Sequence, residues 1–112
     1  MKSSGVLGAV AFALVAGYGV SLYAATEHPS ALFKQYCAKC HGEDGKASTP
    51  KGKQLMARDF TDAEFQAGKT DAKLVKTVTE GDEDMPPFGK KLSKEQIEAL
   101  VKKDVRGFAP KK

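Results

Sequence analysis

The chain is short of the side chains that mark most functional classes. Its 112 residues hold two cysteines, Cys37 and Cys40, and two histidines, His28 and His41. Two thiols exclude a framework of several disulfides, and so few Cys and His leave a four-ligand zinc site no spare donor. Charge of one sign is not concentrated either. Lys and Arg total 18 against 14 Asp and Glu, a formal net charge of +4, with the signs interspersed. The tight basic clusters are only the pairs Lys90-Lys91, Lys102-Lys103 and Lys111-Lys112. A nucleic-acid module would show a basic stripe interleaved with aromatics, so no nucleic-acid partner is expected. Apolar residues make up 41% of the chain but crowd into its first 25 positions. The remainder is thinly apolar and small, where burial is marginal against chain entropy. That excludes a multidomain protein, a large-sheet enzyme and a polytopic membrane protein. It calls for an added stabilising element, such as a metal, disulfides or a buried cofactor.

One long uncharged run is present. Residues 1–4 are polar and positive, residues 5–22 carry no charge, and charged sequence begins at Thr26-Glu27. This order is that of an export signal. Cleavage after Ala24 or Ala25 would leave Leu22 or Tyr23 where a small residue is preferred. The run would reach about 27 Å as a helix, which just spans a bilayer. Residues 1–25 are therefore expected to be a signal peptide or an N-terminal membrane anchor, and residues 26–112 an exported domain. The expected location is a bacterial periplasm, with membrane contact only if residues 5–22 are retained.

The chemistry concentrates in Cys37-Ala38-Lys39-Cys40-His41. C-x-x-C-H is the attachment signal of c-type haem. Two thiols three residues apart on one helical turn reach two vinyl groups along one porphyrin edge, and the following imidazole turns under the iron. Three other readings compete. A disulfide would close a tiny loop and add little stability. A thioredoxin-like pair wants a βαβ context. A zinc site would need His28 as a poor fourth ligand.

From about Ser30 to Phe108 the chain resembles the class I monohaem c-type cytochromes, in particular their small bacterial members. The resemblance is carried by Cys37-Ala38-Lys39-Cys40-His41-Gly42 and by Met85-Pro86-Pro87-Phe88. It implies one covalent haem c, held through Cys37 and Cys40, with iron between His and Met. It puts the ligand methionine in an M-P loop before the last helix, hence Met85. The prolines after Met85 would stiffen that loop. Met56 is read as packing against the haem or core, and His28 as a remote alternative ligand. The resemblance also places the acceptor for the second nitrogen of His41 on a proline carbonyl, which points to Pro50. Arg58, with Lys53, is a candidate donor to the haem propionates, against pairing with Asp59 or solvation.

The fold class expected is all-α, a cytochrome c-like bundle of about four short helices around the haem. Ser30 would cap a helix from Ala31 to about Lys39. Thr61-Asp62-Ala63-Glu64 reads as a capping box for a helix ending near Gly68. Asp71 would cap a third, with Leu74, Val75 and Val78 inward and Gly81 as its stop. Ser93 and Gln96 form a second capping box. It opens a helix whose Ile97, Leu100, Val101, Val105 and Phe108 share one stripe. The resemblance implies that the first and last helices pack together.

The function expected is one-electron transfer rather than catalysis. The chain would shuttle between a membrane donor complex and a terminal oxidase, reductase or photosynthetic acceptor. Lys39, Lys46, Lys51, Lys90 and Lys91 would form a positive collar facing an acidic partner, although Glu43, Asp44, Asp82, Glu83 and Asp84 dilute it. Two other classes are a haem enzyme or gas sensor with an open sixth site, and a fixed electron-entry subunit of a larger oxidoreductase.

Overall fold

The computed structural model describes residues 27–111. The expected signal or anchor at residues 1–25 lies outside them. Among the described residues no helix is long and apolar enough to cross a membrane.

Short capped helices make up the fold, and local sequence explains most of the caps. Helix α1, Ala31–Tyr36, starts where Ser30 Oγ accepts the Phe33 N–H at 3.2 Å. It does not run on to Lys39 as one helix. The backbone kinks at Cys37 (φ −117°), and α2, Ala38–His41, follows and stops at Gly42. Helix α3, Pro50–Leu55, is not among the elements expected from sequence. Thr49 caps it and Pro50 takes the first position, where a missing N–H costs nothing. Helix α4, Ala63–Gly68, is capped by Asp62 rather than by Thr61, whose hydroxyl bonds Asp59 instead. Helix α5, Asp71–Glu80, is capped by Thr70, one residue before Asp71, and stops at Gly81 as expected. Helix α6, Lys94–Ala99, carries the expected reciprocal box between Ser93 and Gln96. The helix then widens to a π turn over Leu100–Val105 and tightens to a 3₁₀ turn over Arg106–Phe108.

The all-α expectation holds, with more and shorter helices than four. One core joins α1 to the C-terminal helical stretch, centred on Phe33, Ile97 and Val101, each 2% exposed or less. Phe33 meets the Phe108 ring at 5.3 Å, so the first and last helices do pack together.

A polar hub ties the last helix to α4 and α5. Arg106 Nε donates to Asp71 Oδ1 at 2.8 Å. Its Nη1 donates to the carbonyl and Oε1 of Gln66, and its Nη2 to the Lys69 carbonyl. Gln66 in turn donates to the Phe60 carbonyl at 2.7 Å and the Val105 carbonyl at 2.9 Å. The guanidinium thus satisfies carbonyls at the end of α4 that would otherwise be orphaned. Through Gln66 it also fixes the segment carrying Phe60, which reaches the site.

Candidate cofactor site

Cys37 lies at the kink between α1 and α2, and Cys40 and His41 occupy the last turn of α2. Both thiols are free and half-buried, and His41 is buried. Helix α3 presses directly on this turn. Thr49 Oγ1 donates to the Lys39 carbonyl at 2.7 Å, and any Cβ at Gly52 would collide with the Cys40 carbonyl. Only glycine allows that approach.

Burial and the Asp104 charge push the Cys37 thiol up to about 12, with Cys40 adding to the effect. A thiol held protonated this way is a poor redox nucleophile, which speaks against a thioredoxin-like role. Among the described residues no three His, Cys, Asp or Glu side chains cluster to hold a metal ion, so the zinc reading finds no site.

His41 is held from two sides. Its ring stacks on Phe60, centroids 4.3 Å apart at 17°. Its Nδ1–H donates to the Arg58 carbonyl at 3.0 Å. A carbonyl can only accept, so the proton sits on Nδ1 and the Nε2 lone pair is left for a ligand bond. Burial lowers the imidazole below its ordinary value, and the Arg58 carbonyl partly opposes that. The ring is therefore kept neutral, the form that binds iron.

The acceptor is not Pro50. As the first residue of α3, Pro50 is exposed and its carbonyl belongs to that helix's own ladder. The chain returns to His41 only after α3, where the Phe60 N–H bonds the Gly45 carbonyl at 2.7 Å and draws residues 58–60 alongside the ring. Pro50→Ala is accordingly expected to leave the His41 environment unchanged and to cost at most about 1 kcal/mol through unfolded-chain entropy. A visible spectrum and a thermal melt check both halves of that expectation. The Arg58 side chain is exposed and does not pair with Asp59, whose carboxylate accepts from the Thr61 N–H and hydroxyl. Arg58 also lines the cleft that His41 and Met85 share.

Met85 is half-buried in a latched loop. Asp82 and Met85 exchange two backbone hydrogen bonds, 3.0 and 2.7 Å. Beyond them, the Phe88 and Gly89 N–H groups bond the Val78 and Thr79 carbonyls of α5 at 2.9 and 3.0 Å. At Gly81 (φ +80°) a Cβ would sit 2.7 Å from the Met85 carbonyl, so only glycine lets the loop fold back here. Met56 is 85% exposed at the left-handed end of α3, so it packs against neither core nor cleft, contrary to expectation. His28 is also removed from the site. Its Nε2 bonds the Asp104 carbonyl at 3.1 Å and its ring rests on Phe108.

His41 and Met85 line one open cleft, whose walls include Phe60, Leu74, Val101 and Val105. An imidazole nitrogen and a thioether sulfur facing one apolar cleft, beside two thiols a helical turn apart, is a donor set that fits a covalently attached haem. Two features of the site had no sequence signal. The Arg58 acceptor is a backbone atom, and Phe60 reads as an ordinary core aromatic.

Comparison with known proteins agrees with this geometry. Residues 24–102 match the family described as cytochrome c oxidase, cbb3-type, subunit III. The cbb3-type cytochrome c oxidase subunit FixP of Azorhizobium caulinodans is 37% identical over 71 residues, covering 62% of this chain and 23% of that one. The cbb3-type cytochrome c oxidase subunit CcoP of Azospirillum brasilense is 32% identical over 79 residues, 70% of this chain and 27% of that one. The chain thus spans about a quarter of the length of these curated relatives. The solved structure of the KustC0563 c-type cytochrome superposes with a TM-score of 0.66 at 45% identity, covering 70% of this chain and 94% of that one. A point variant of the same protein gives 0.64 at 47% identity, covering 69% of this chain and 93% of that one.

Proposed function

The chain belongs to the family of cytochrome c oxidase, cbb3-type, subunit III, and on that premise we propose how its residues serve electron transfer. It is a monohaem c-type cytochrome of class I, an electron-transfer protein with covalent haem c. In the proposed assignment Cys37 and Cys40 form the two thioether bonds. His41 Nε2 and the Met85 sulfur would be the two protein ligands that hold the haem iron. Bound there, the haem supplies a centre that gains and loses one electron.

The polypeptide's part is to keep that centre unchanged between the two states. The Arg58 carbonyl and the Phe60 ring fix the His41 imidazole in orientation and tautomer. The backbone latch from α5 fixes Met85, so its sulfur does not have to be reordered at each transfer. Phe60, Leu74, Val101 and Val105 give the cleft apolar walls, which would lower the polar rearrangement that accompanies charge change. The observation that carries the assignment is the opening of His41 and Met85 onto one cleft, with His41 Nδ1 already engaged.

The chain acts as a carrier and not as a catalyst. Residues 1–25 direct the domain across the cytoplasmic membrane or tether it there, and its redox partners meet it in the periplasm. Exposed Lys39, Lys46, Lys51, Lys90 and Lys91 provide the charge for an acidic partner. A second reading, a fixed electron-entry subunit, has support in the relatives, which are oxidase subunits by description. Potentiometric titration of the purified holoprotein tests the proposal. One reversible wave with a one-electron slope is expected. Irreversible titration, or turnover of peroxide or oxygen by the isolated chain, would contradict the carrier.

A further inference from the structure

We propose that Asp104 sets the reduction potential of this protein: its fixed negative charge, sealed between α1 and the last helix, favours the oxidised state. The inference rests on the reading that Cys37, Cys40 and His41 hold the haem.

Asp104 occupies the apolar stripe of the last helix and is 2% exposed, although the residues around it are Leu100, Val101 and Val105. Its Oδ1 accepts the Ser30 N–H at 2.7 Å and its Oδ2 accepts the Ser30 hydroxyl at 2.8 Å. Ser30 Oγ already accepts the Phe33 N–H, so the hydroxyl proton has to point at Asp104. Both carboxyl oxygens face donors. The ionised carboxylate is an acceptor only, which matches two oxygens that both face donors.

No cation neutralises it among the described residues. The ion pairs there are Lys34 with Glu27 and Arg106 with Asp71. His28 reaches the Asp104 backbone carbonyl and not its carboxylate. A buried charge without a counter-charge is costly, and an apolar residue would continue the stripe at lower cost. What the charge acts on is close at hand. Val101 and Val105, on the same helical stretch, line the cleft that His41 and Met85 face. The charge of Asp104 is also felt at Cys37, whose thiol it helps to push up. Oxidation adds one positive charge at the site, and a nearby buried anion stabilises that form with little screening by salt.

The test compares midpoint potentials of holoproteins. Asp104→Asn removes the charge at nearly constant shape. Ser30→Ala removes one hydrogen bond and the cap but keeps the charge. Asp104→Asn is expected to shift the redox equilibrium toward the reduced form about tenfold, about 59 mV for a one-electron couple. The shift should persist at high salt, with the far-red band of methionine-ligated ferric haem retained. Ser30→Ala is expected to lower the melting temperature without that rise in potential. A wild-type midpoint in Asp104→Asn, or an equal rise in Ser30→Ala, overturns the proposal and leaves Asp104 a packing residue. Asp104→Ser is the second neutral variant, and failure of both to mature into holoprotein overturns it as well. Absence of the far-red band in the unmutated protein would instead remove Met85 from the ligand set, whatever Asp104 does.

Discussion

Cys37→Ser combined with Cys40→Ser, produced alongside a c-type haem maturation system, is expected to carry no covalently bound pigment on a denaturing gel. No other cysteine exists to replace them. The effect should extend to the fold. The core is small, and the side chains lining the cleft double as core members, among them Phe60, Leu74, Val101 and Val105. An attached cofactor would add its contacts to these walls, and without them the burial is marginal for a domain of this size. Circular dichroism should show a broad, low-temperature melt in place of a cooperative one. A sharp, native-like melt in the double variant would mean that the polypeptide alone supplies the stability.

Met85→Ala is expected to have the largest effect on redox behaviour while leaving attachment intact. Loss of the thioether removes the soft ligand that favours ferrous iron, so the midpoint should fall by on the order of 100 mV or more. The reduced protein should then bind carbon monoxide rapidly. The latch on either side of residue 85 uses backbone atoms only, so the loop itself should survive the change. Met56→Leu is the matched control. Met56 is 85% exposed, and its replacement should leave potential and carbon monoxide reactivity where they were. If Met56→Leu lowered the potential and Met85→Ala did not, the assignment of the sixth ligand would have to be reversed.

What is legible in the sequence is local. Cys37, Cys40 and His41 lie within one turn. Ser30, Ser93 and Gln96 announce their caps at fixed offsets. Gly81 stops α5 where the periodicity ends. What stays hidden is long-range or carried by backbone. The partner of His41 is a carbonyl 17 residues away, and a carbonyl has no sequence signature. Pro50 matches the place that the resemblance suggests for that acceptor. Yet Thr49-Pro50 is also a helix-start signal, and a first-turn carbonyl is committed to its own helix. Arg106 gathers carbonyls some 40 residues earlier in the chain, which no periodicity announces. Asp104 belongs to no motif. Its signal is a carboxylate out of place on an apolar stripe, and a buried polar residue says more than another leucine.

The most direct test of the account is the absorption spectrum of the matured protein, oxidised, reduced, and reduced under carbon monoxide. A covalent low-spin haem is predicted, with a weak far-red band in the oxidised form and no change when carbon monoxide is added. A high-spin spectrum, or one that carbon monoxide alters at once, would show an open sixth position and contradict the closed His41–Met85 carrier.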